Sequence, residues 1–268
     1  MVAQLTRPEC WGSELTGAPD EIRIRPLIGL PEVSPGDDLA AALTNLTRFS
    51  EGDILAVSQK VISKQEDRLV DLNRVEPGPR AIALATELER DPRLVELILE
   101  ESVEIVRTDN ERGILITETR HGFICANAGI DSSNVPGDTT VVLLPEDPDD
   151  SARRLRAGIA LACGARPAIV ISDSFGRAWR LGQAEVAIGC AGIEPLDDWR
   201  GRIDSQGQEL AATMIATVDQ VAAAADLGRN KTSRTPAVLL QGLAHLVTEA
   251  NGPGCTAQIR PAGEDLFR

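Results

Sequence analysis

Two short segments gather the side chains best suited to hold a cation. Asn127-Ala128-Gly129-Ile130-Asp131-Ser132-Ser133-Asn134 puts a carboxylate, two amides and two hydroxyls into eight residues, with a glycine to bend the chain. Ile171-Ser172-Asp173-Ser174-Phe175-Gly176-Arg177-Ala178-Trp179-Arg180 delivers Asp173 and Ser174 behind an apolar stretch. The C-terminal end of a strand is a usual place for a site in a sheet protein. A carboxylate followed by a hydroxyl makes a good ligand pair for a hard cation. Arg177 and Arg180 could meet phosphate or carboxylate oxygens in forked hydrogen bonds. Lys60 and Lys64 flank the end of a second apolar stretch, where a lysine can serve phosphate as a point charge. Plainer readings stand beside these. An aspartate near glycine forms turns, Asp173 could cap a helix, and the arginines and lysines could be solvated surface charges.

Missing motifs narrow the chemistry. The chain has no GxxxxGK[ST] and no GxGxxG at a strand–helix junction, so a phosphate site must be assembled from scattered loops. The five cysteines (Cys10, Cys125, Cys163, Cys190, Cys255) show no CxxC spacing, which argues for buried free thiols over a zinc site or disulfide framework. His121 and His245 are the only histidines. Any metal therefore sits among oxygen ligands, as magnesium or manganese do.

The elements that must position these residues follow from periodicity. Glu21 to Leu27 alternates as a strand, and Ser34-Pro35-Gly36-Asp37 starts a helix with Leu39, Leu43 and Leu46 on one face. Asp53 to Ser63 is predicted as an apolar strand. Helices are predicted at 79–90 and 92–101, the second capped by Asp91 with Pro92 in its first turn. Short strands follow at 105–107, 114–118, 123–127 and 140–144, with Thr119 to Gly122 as a hairpin turn. Asp149 or Asp150 is expected to cap a helix reaching Cys163, and a strand over Ala168 to Ser172 to stop at Asp173. Glu185 to Ile193 reads as strand, 195–204 as a surface excursion, Ser205 to Leu227 as one alanine-rich helix ended by Gly228, and Ala237 to Gln241 as a last core strand. This order predicts an α+β fold with mixed sheets and two interleaved subdomains. Residues 1–21 are expected to be a poorly ordered lead-in to a domain over 22–268.

The balance of 41 acidic against 27 basic residues, a net charge of −14, opposes nucleic acid and anionic membranes as partners. No run of 18 apolar residues is present to span a bilayer. Met1 to Pro19 lacks the basic start and apolar middle of a signal peptide, so a cytoplasmic protein is expected.

Five segments in order resemble the coenzyme F420-0:gamma-glutamyl ligase family: GLPEV at 29–33, SQKVISK at 58–64, ANAGIDSSN at 126–134, ISDSFGRAWR at 171–180 and RPAGEDLFR at 260–268. The resemblance runs from about Ile22 to Arg268. It implies an unusual α+β fold in an intertwined homodimer. It also implies a GTP-dependent ligase that adds L-glutamate to the lactyl carboxylate of the deazaflavin coenzyme F420 precursor through an acyl phosphate. Two divalent cations (Mg²⁺ or Mn²⁺) and a monovalent one such as K⁺ are implied with it.

Residue by residue, the resemblance makes Asp131, Asp173 and Ser174 metal ligands. It makes Leu30, Pro31, Glu32 and Val33 a loop around the nucleotide, with Gln59, Lys64 and Asn134 as further nucleotide contacts. It identifies no general base. Where similar proteins carry a glutamine metal ligand in a Met-Gly-Gln turn, this chain reads Leu227-Gly228-Arg229-Asn230-Lys231. Arginine binds no cation, which leaves Asn230 or water for a second metal. Two other readings stay open: a related GTP-dependent amide ligase acting on another carboxylate, and a non-catalytic nucleotide-binding protein.

Overall fold

The computed structural model describes residues 21–133, 135, 137–229 and 234–265. Almost all of the expected lead-in, Asn134, Asn230, Lys231 and the end of the closing motif lie outside these residues.

Strand β1 (Arg23–Pro26) leads through the 27–38 loop to α1 (Leu39–Leu46). The Asp38 carboxylate accepts from the N–H of Ala41 at 2.9 Å and caps that helix. Strand β2 (Ile54–Ser58) is shorter than its apolar run suggests: at Gln59 the chain turns into α2 (Gln59–Gln65). Val61 and Ile62 are buried from this helix rather than from a prolonged strand. A short apolar run has no period that separates the two.

After β3 (Leu69–Asp71) come α3 (Pro79–Leu88) and α4 (Pro92–Glu100). Asp91 caps α4 as expected, its carboxylate accepting from the N–H of Arg93 at 2.9 Å. Strands β4 (Ser102–Asp109), β5 (Ile114–Thr119) and β6 (Ile124–Ala126) form an antiparallel sheet, while β7 (Thr140–Val142) returns to pair with β3. The cap of α5 (Pro148–Cys163) is Asp147, not Asp149 or Asp150. Pro148 fills the first helical position, where no N–H is needed, and this places the start two residues early.

Strand β8 (Ala168–Arg177) does not stop at Asp173; it continues into a long hairpin with β9 (Arg180–Ala191). Strands β10 (Leu196–Asp198) and β11 (Met214–Ala216) pair with each other. Only Thr217–Asp226 is helical (α6), so the single helix expected from Ser205 is corrected. Leu210 instead exchanges backbone bonds with Gly201 and Arg202. Strand β12 (Ala237–Gln241) closes the main sheet.

That sheet has the order β1-β12-β2-β8-β9, with β2 and β8 parallel and the other neighbours antiparallel. Its inner strands bury both faces, as strands sandwiched between helices must. Leu55, Val57, Ile169 and Ile171 point to a core shared with Leu39, Leu43, Leu155 and Ile159 of α1 and α5. Ile54, Ala56, Ala168 and Val170 point the other way, against Val218, Val221, Ala222 and Ala225 of α6. Residues 69–143, between β2 and β8 in sequence, build a second core from Leu72, Leu88, Ile98, Leu115 and Val141. An α+β fold with two interleaved parts is the result.

Candidate active site

The site lies where β2 leaves the sheet. Ser58 is the last residue of β2 paired with β8, opposite Ser172. Beyond it the chain bends into α2, so Asp173 and Ser174 stand just past the point where one edge of β8 loses its strand neighbour. Side chains alternate along β8. Asp173 therefore faces the α1/α5 side with Ile171 and Phe175, while Ser172 and Ser174 face the α6 side.

On the first face, Asp131 is brought to Asp173 by a strained turn. Asn127, Ala128 and Gly129 all have positive φ (56°, 53° and 73°), a conformation that non-glycine residues adopt at a cost. Arg90 holds the turn, donating from Nη1 to Asn127 Oδ1 at 2.5 Å and to the Gly113 carbonyl at 3.3 Å. A Cβ on Gly129 would come within 2.8 Å of the Leu144 side chain. Asp131 then bridges to β7, with Asp131 N–H to Val142 O at 3.1 Å and Val142 N–H to Asp131 O at 2.9 Å.

Lys60 of α2 meets this carboxylate, 2.7 Å from Asp131 Oδ2, and also donates to Ser133 Oγ (2.6 Å) and Ser133 O (3.1 Å). Burial works against the Asp131 charge, but the Lys60 bond and the Ser133 N–H together hold its carboxyl below the usual range. Asp173 goes the other way. Burial first, then the charges of Glu185 and Asp131, push it up to about 6 against the opposing Ser174 N–H bond and Lys60. Cys125, buried nearby, is pushed up to about 12 by burial and the Asp173 charge. Its thiol stays protonated at neutral pH and is no nucleophile.

On the second face, Glu185 of β9 sits directly across from Ser174 and is buried. It accepts from Ser172 Oγ at 2.6 Å and from Ser174 Oγ at 2.5 Å. Arg229, three residues past the end of α6, completes the group: its Nη1 donates to Ser172 Oγ at 3.0 Å and lies 3.3 Å from Glu185 Oε2. Both side chains of this pair are only 8% exposed. Burial lowers the Arg229 pKa, and the charges of Glu185 and Asp226 oppose that; an arginine stays charged regardless.

Sequence reasoning missed Glu185 as a site residue and left Arg229 without a partner. The one available signal was a lone carboxylate in the apolar run Ala184 to Ile188. Only the hairpin register, which the sequence does not declare, puts it opposite Ser174.

Among the nucleotide-loop residues, Val33 is buried and Leu30 half-buried, while Pro31 and Glu32 are exposed. Lys64, buried on α2, forms an ion pair with Glu32 and so ties the 30–33 loop to the helix that also carries Lys60. Gln59 is fully buried; its Oε1 accepts from Ser63 Oγ at 2.9 Å, and its Nε2 has no hydrogen-bond partner. Arg177 and Arg180 are not brought to this group. They lie at the exposed hairpin end, where Arg177 donates to the Leu181 carbonyl at 2.6 Å. Cys125, Cys190 and Cys255 are buried thiols as expected, whereas Cys163, at the end of α5, is exposed.

Fold and site together define an α+β protein whose acidic, hydroxyl-rich cluster is drawn from three separate loops and strand ends. The family model described as F420-0:Gamma-glutamyl ligase matches residues 27–242, and the chain belongs to that family. It is 42% identical over 249 residues to the Coenzyme F420:L-glutamate ligase of Methanopyrus kandleri, covering 92% of this chain and 98% of that one. The protein of the same name from Methanothermobacter thermautotrophicus is 38% identical over 246 residues, covering 90% and 96%. That of Natronomonas pharaonis is 42% identical over 220 residues, covering 80% and 83%.

Proposed function

We propose that this chain joins L-glutamate to the lactyl carboxylate of the deazaflavin coenzyme F420 precursor, using GTP. The observation that carries the reading is the convergence of Asp131, Lys60 and Asp173, which stand in three of the segments that resemble the family. In the proposed reaction a precursor carboxylate oxygen attacks the γ-phosphorus of GTP, the β–γ bridging P–O bond breaks, and GDP leaves. The glutamate nitrogen then attacks the acyl carbon, phosphate departs, and the nitrogen gives up a proton to a base.

This chain's residues supply position and charge. The 30–33 loop, held by Lys64, is proposed to enclose the nucleotide together with Gln59, whose buried Nε2 is a ready donor, and Asn134. Lys60 fixes the Asp131 carboxylate. The donor set suits a hard cation, since the carboxylates of Asp131 and Asp173 are oxygen ligands; Ser174, proposed as a third, donates to Glu185 on the other face of β8 and would have to turn to join them. Burial first, and then the charges of Glu185 and Asp131, raise the Asp173 pKa, which a bound cation would relieve. Bound there, Mg²⁺ or Mn²⁺ would offset the repulsion between phosphates and carboxylates. A second divalent ion finds less support: Arg229 already sits against Glu185. K⁺ is proposed as a further aid to the nucleotide.

A homodimer is proposed from the hairpin tip, where Trp179 is 86% and Leu181 97% exposed; large apolar side chains grouped in this way commonly mark an interface. No described helix is long and apolar enough to cross a membrane, and a cytoplasmic location is proposed. The test is phosphate release by the purified protein with GTP or ATP, with precursor and glutamate supplied together or singly. Release from GTP that requires both co-substrates is expected. Nucleotide binding without release under any acceptor would leave the non-catalytic reading.

A further inference from the structure

Arg229 uses one of its three guanidinium nitrogens. Nη1 serves Ser172 and Glu185, while Nε and Nη2 are enclosed and have no hydrogen-bond partner. These two nitrogens are the pair whose N–H bonds run side by side along one edge of the guanidinium, spaced to meet both oxygens of a carboxylate. Elsewhere the molecule fills the same edge with a carboxylate. Arg93 gives Nε and Nη2 to Asp91 at 3.0 and 2.7 Å, and Arg200 gives them to Asp198 at 2.9 and 2.6 Å. Those arginines are more exposed, at 33% and 54%, than Arg229 at 8%. Enclosed donors without an acceptor are uncommon and call for an explanation.

We infer that the Nε/Nη2 edge of Arg229 is the receptor for a carboxylate of the amino-acid substrate. This rests on the ligase reading above. Charge favours a carboxylate over a phosphate group: Glu185 and Asp226 already act on Arg229, and a multiply charged phosphoryl group would meet more repulsion from them than a single carboxylate. Ser172, which Arg229 touches, is the immediate neighbour of Asp173 on β8, so a carboxylate on Arg229 would lie at the same end of this strand as Asp173, on its opposite face.

Arg229→Lys keeps the positive charge beside Glu185 and removes the fork. In the full-length protein with Mn²⁺ and a non-hydrolysable GTP analogue, its glutamate affinity by calorimetry is expected to fall roughly 30-fold. The KM for glutamate should rise in step, with the KM for GTP and the melting temperature close to wild type. Wild type should discriminate against whichever glutamate amide, α or γ, lacks the clamped carboxylate, and Arg229→Lys should lose that discrimination. Unchanged glutamate binding would overturn the inference, and so would a rise confined to the KM for GTP, which would make the edge a phosphate site. Should Arg229→Lys melt early, the amide series on wild type alone still decides: equal binding of glutamate and both amides contradicts a carboxylate clamp. Arg229-dependent glutamate binding by a protein that adds none to the precursor would sink the ligase reading and leave this inference standing.

Discussion

Asp173 holds its charge against its surroundings. Its pKa is raised to about 6, chiefly by burial and then by Glu185 and Asp131. The folded state therefore binds this proton more tightly than the unfolded chain, whose carboxyl titrates near 4. Below that pH the group carries no penalty. Between about pH 4 and 6 the penalty grows, and above 6 it is complete, on the order of 3 kcal/mol. Asp173→Asn should accordingly stabilise the protein in EDTA at pH 8 by about that amount and change little at pH 4, while abolishing ligation. Urea unfolding at the two pH values measures it, and a variant no more stable at pH 8 contradicts the electrostatic account. At this scale the ligand role of Asp131, Asp173 and Ser174 rests on the resemblance, while the polar segments that hold them were legible from turn chemistry and an apolar lead-in. Glu185 was not, since its role arises from a cross-strand register.

Arg156 shows how elements are locked behind the site. Side chain almost wholly buried, it rises from α5 and donates to the carbonyls of Pro167 (3.1 Å), Thr248 (2.5 Å), Glu249 (3.1 Å) and Ala250 (3.1 Å), and to Asn251 Oδ1 (3.0 Å). Gly192 lets it pass, because a Cβ there would lie 2.3 Å from the Arg156 Cζ. Arg156→Ala would strip the donor from the buried Pro167 residue and the half-buried Thr248 and Asn251, with Glu249 and Ala250 nearer solvent. A loss of about 2–3 kcal/mol is expected, read as a lower urea midpoint at unchanged slope; a loss below 1 kcal/mol would show that water replaces the guanidinium. Most strands were legible as elements, as were α1, α3 and α4 by their period, but only α4 carries the cap expected of it; α1 begins at Leu39 behind Asp38, later than the Ser34 to Asp37 start expected. Two of the misreadings share one cause. Gln59–Gln65 and Ser205–Thr213 are short stretches whose apolar residues fit more than one period, and their conformation is set by where β2 must leave the sheet and where β10 must find β11.

At the level of the whole molecule, interleaving decides the site's composition, because the segment between β2 and β8 returns to β8 through Phe123, which meets Phe175, and through the 127–131 turn that carries Asp131. The hairpin tip bears on assembly: replacing Trp179 and Leu181 with serine is expected to convert a dimer to a monomer by light scattering, and an unchanged mass would place any interface elsewhere. The α+β class was legible from the mixed order of helices and strands; the insertion of one core between β2 and β8 was visible only once the pairings were known. The central claim is glutamate ligation, and mass spectrometry tests it most directly. The purified protein would be incubated with the mono-lactyl deazaflavin precursor, GTP, glutamate, Mn²⁺ and K⁺, beside Asp173→Ala. The account predicts precursor carrying added glutamyl residues with wild type and none with the variant. Precursor of unchanged mass with the wild-type protein, while GTP still binds, would contradict it.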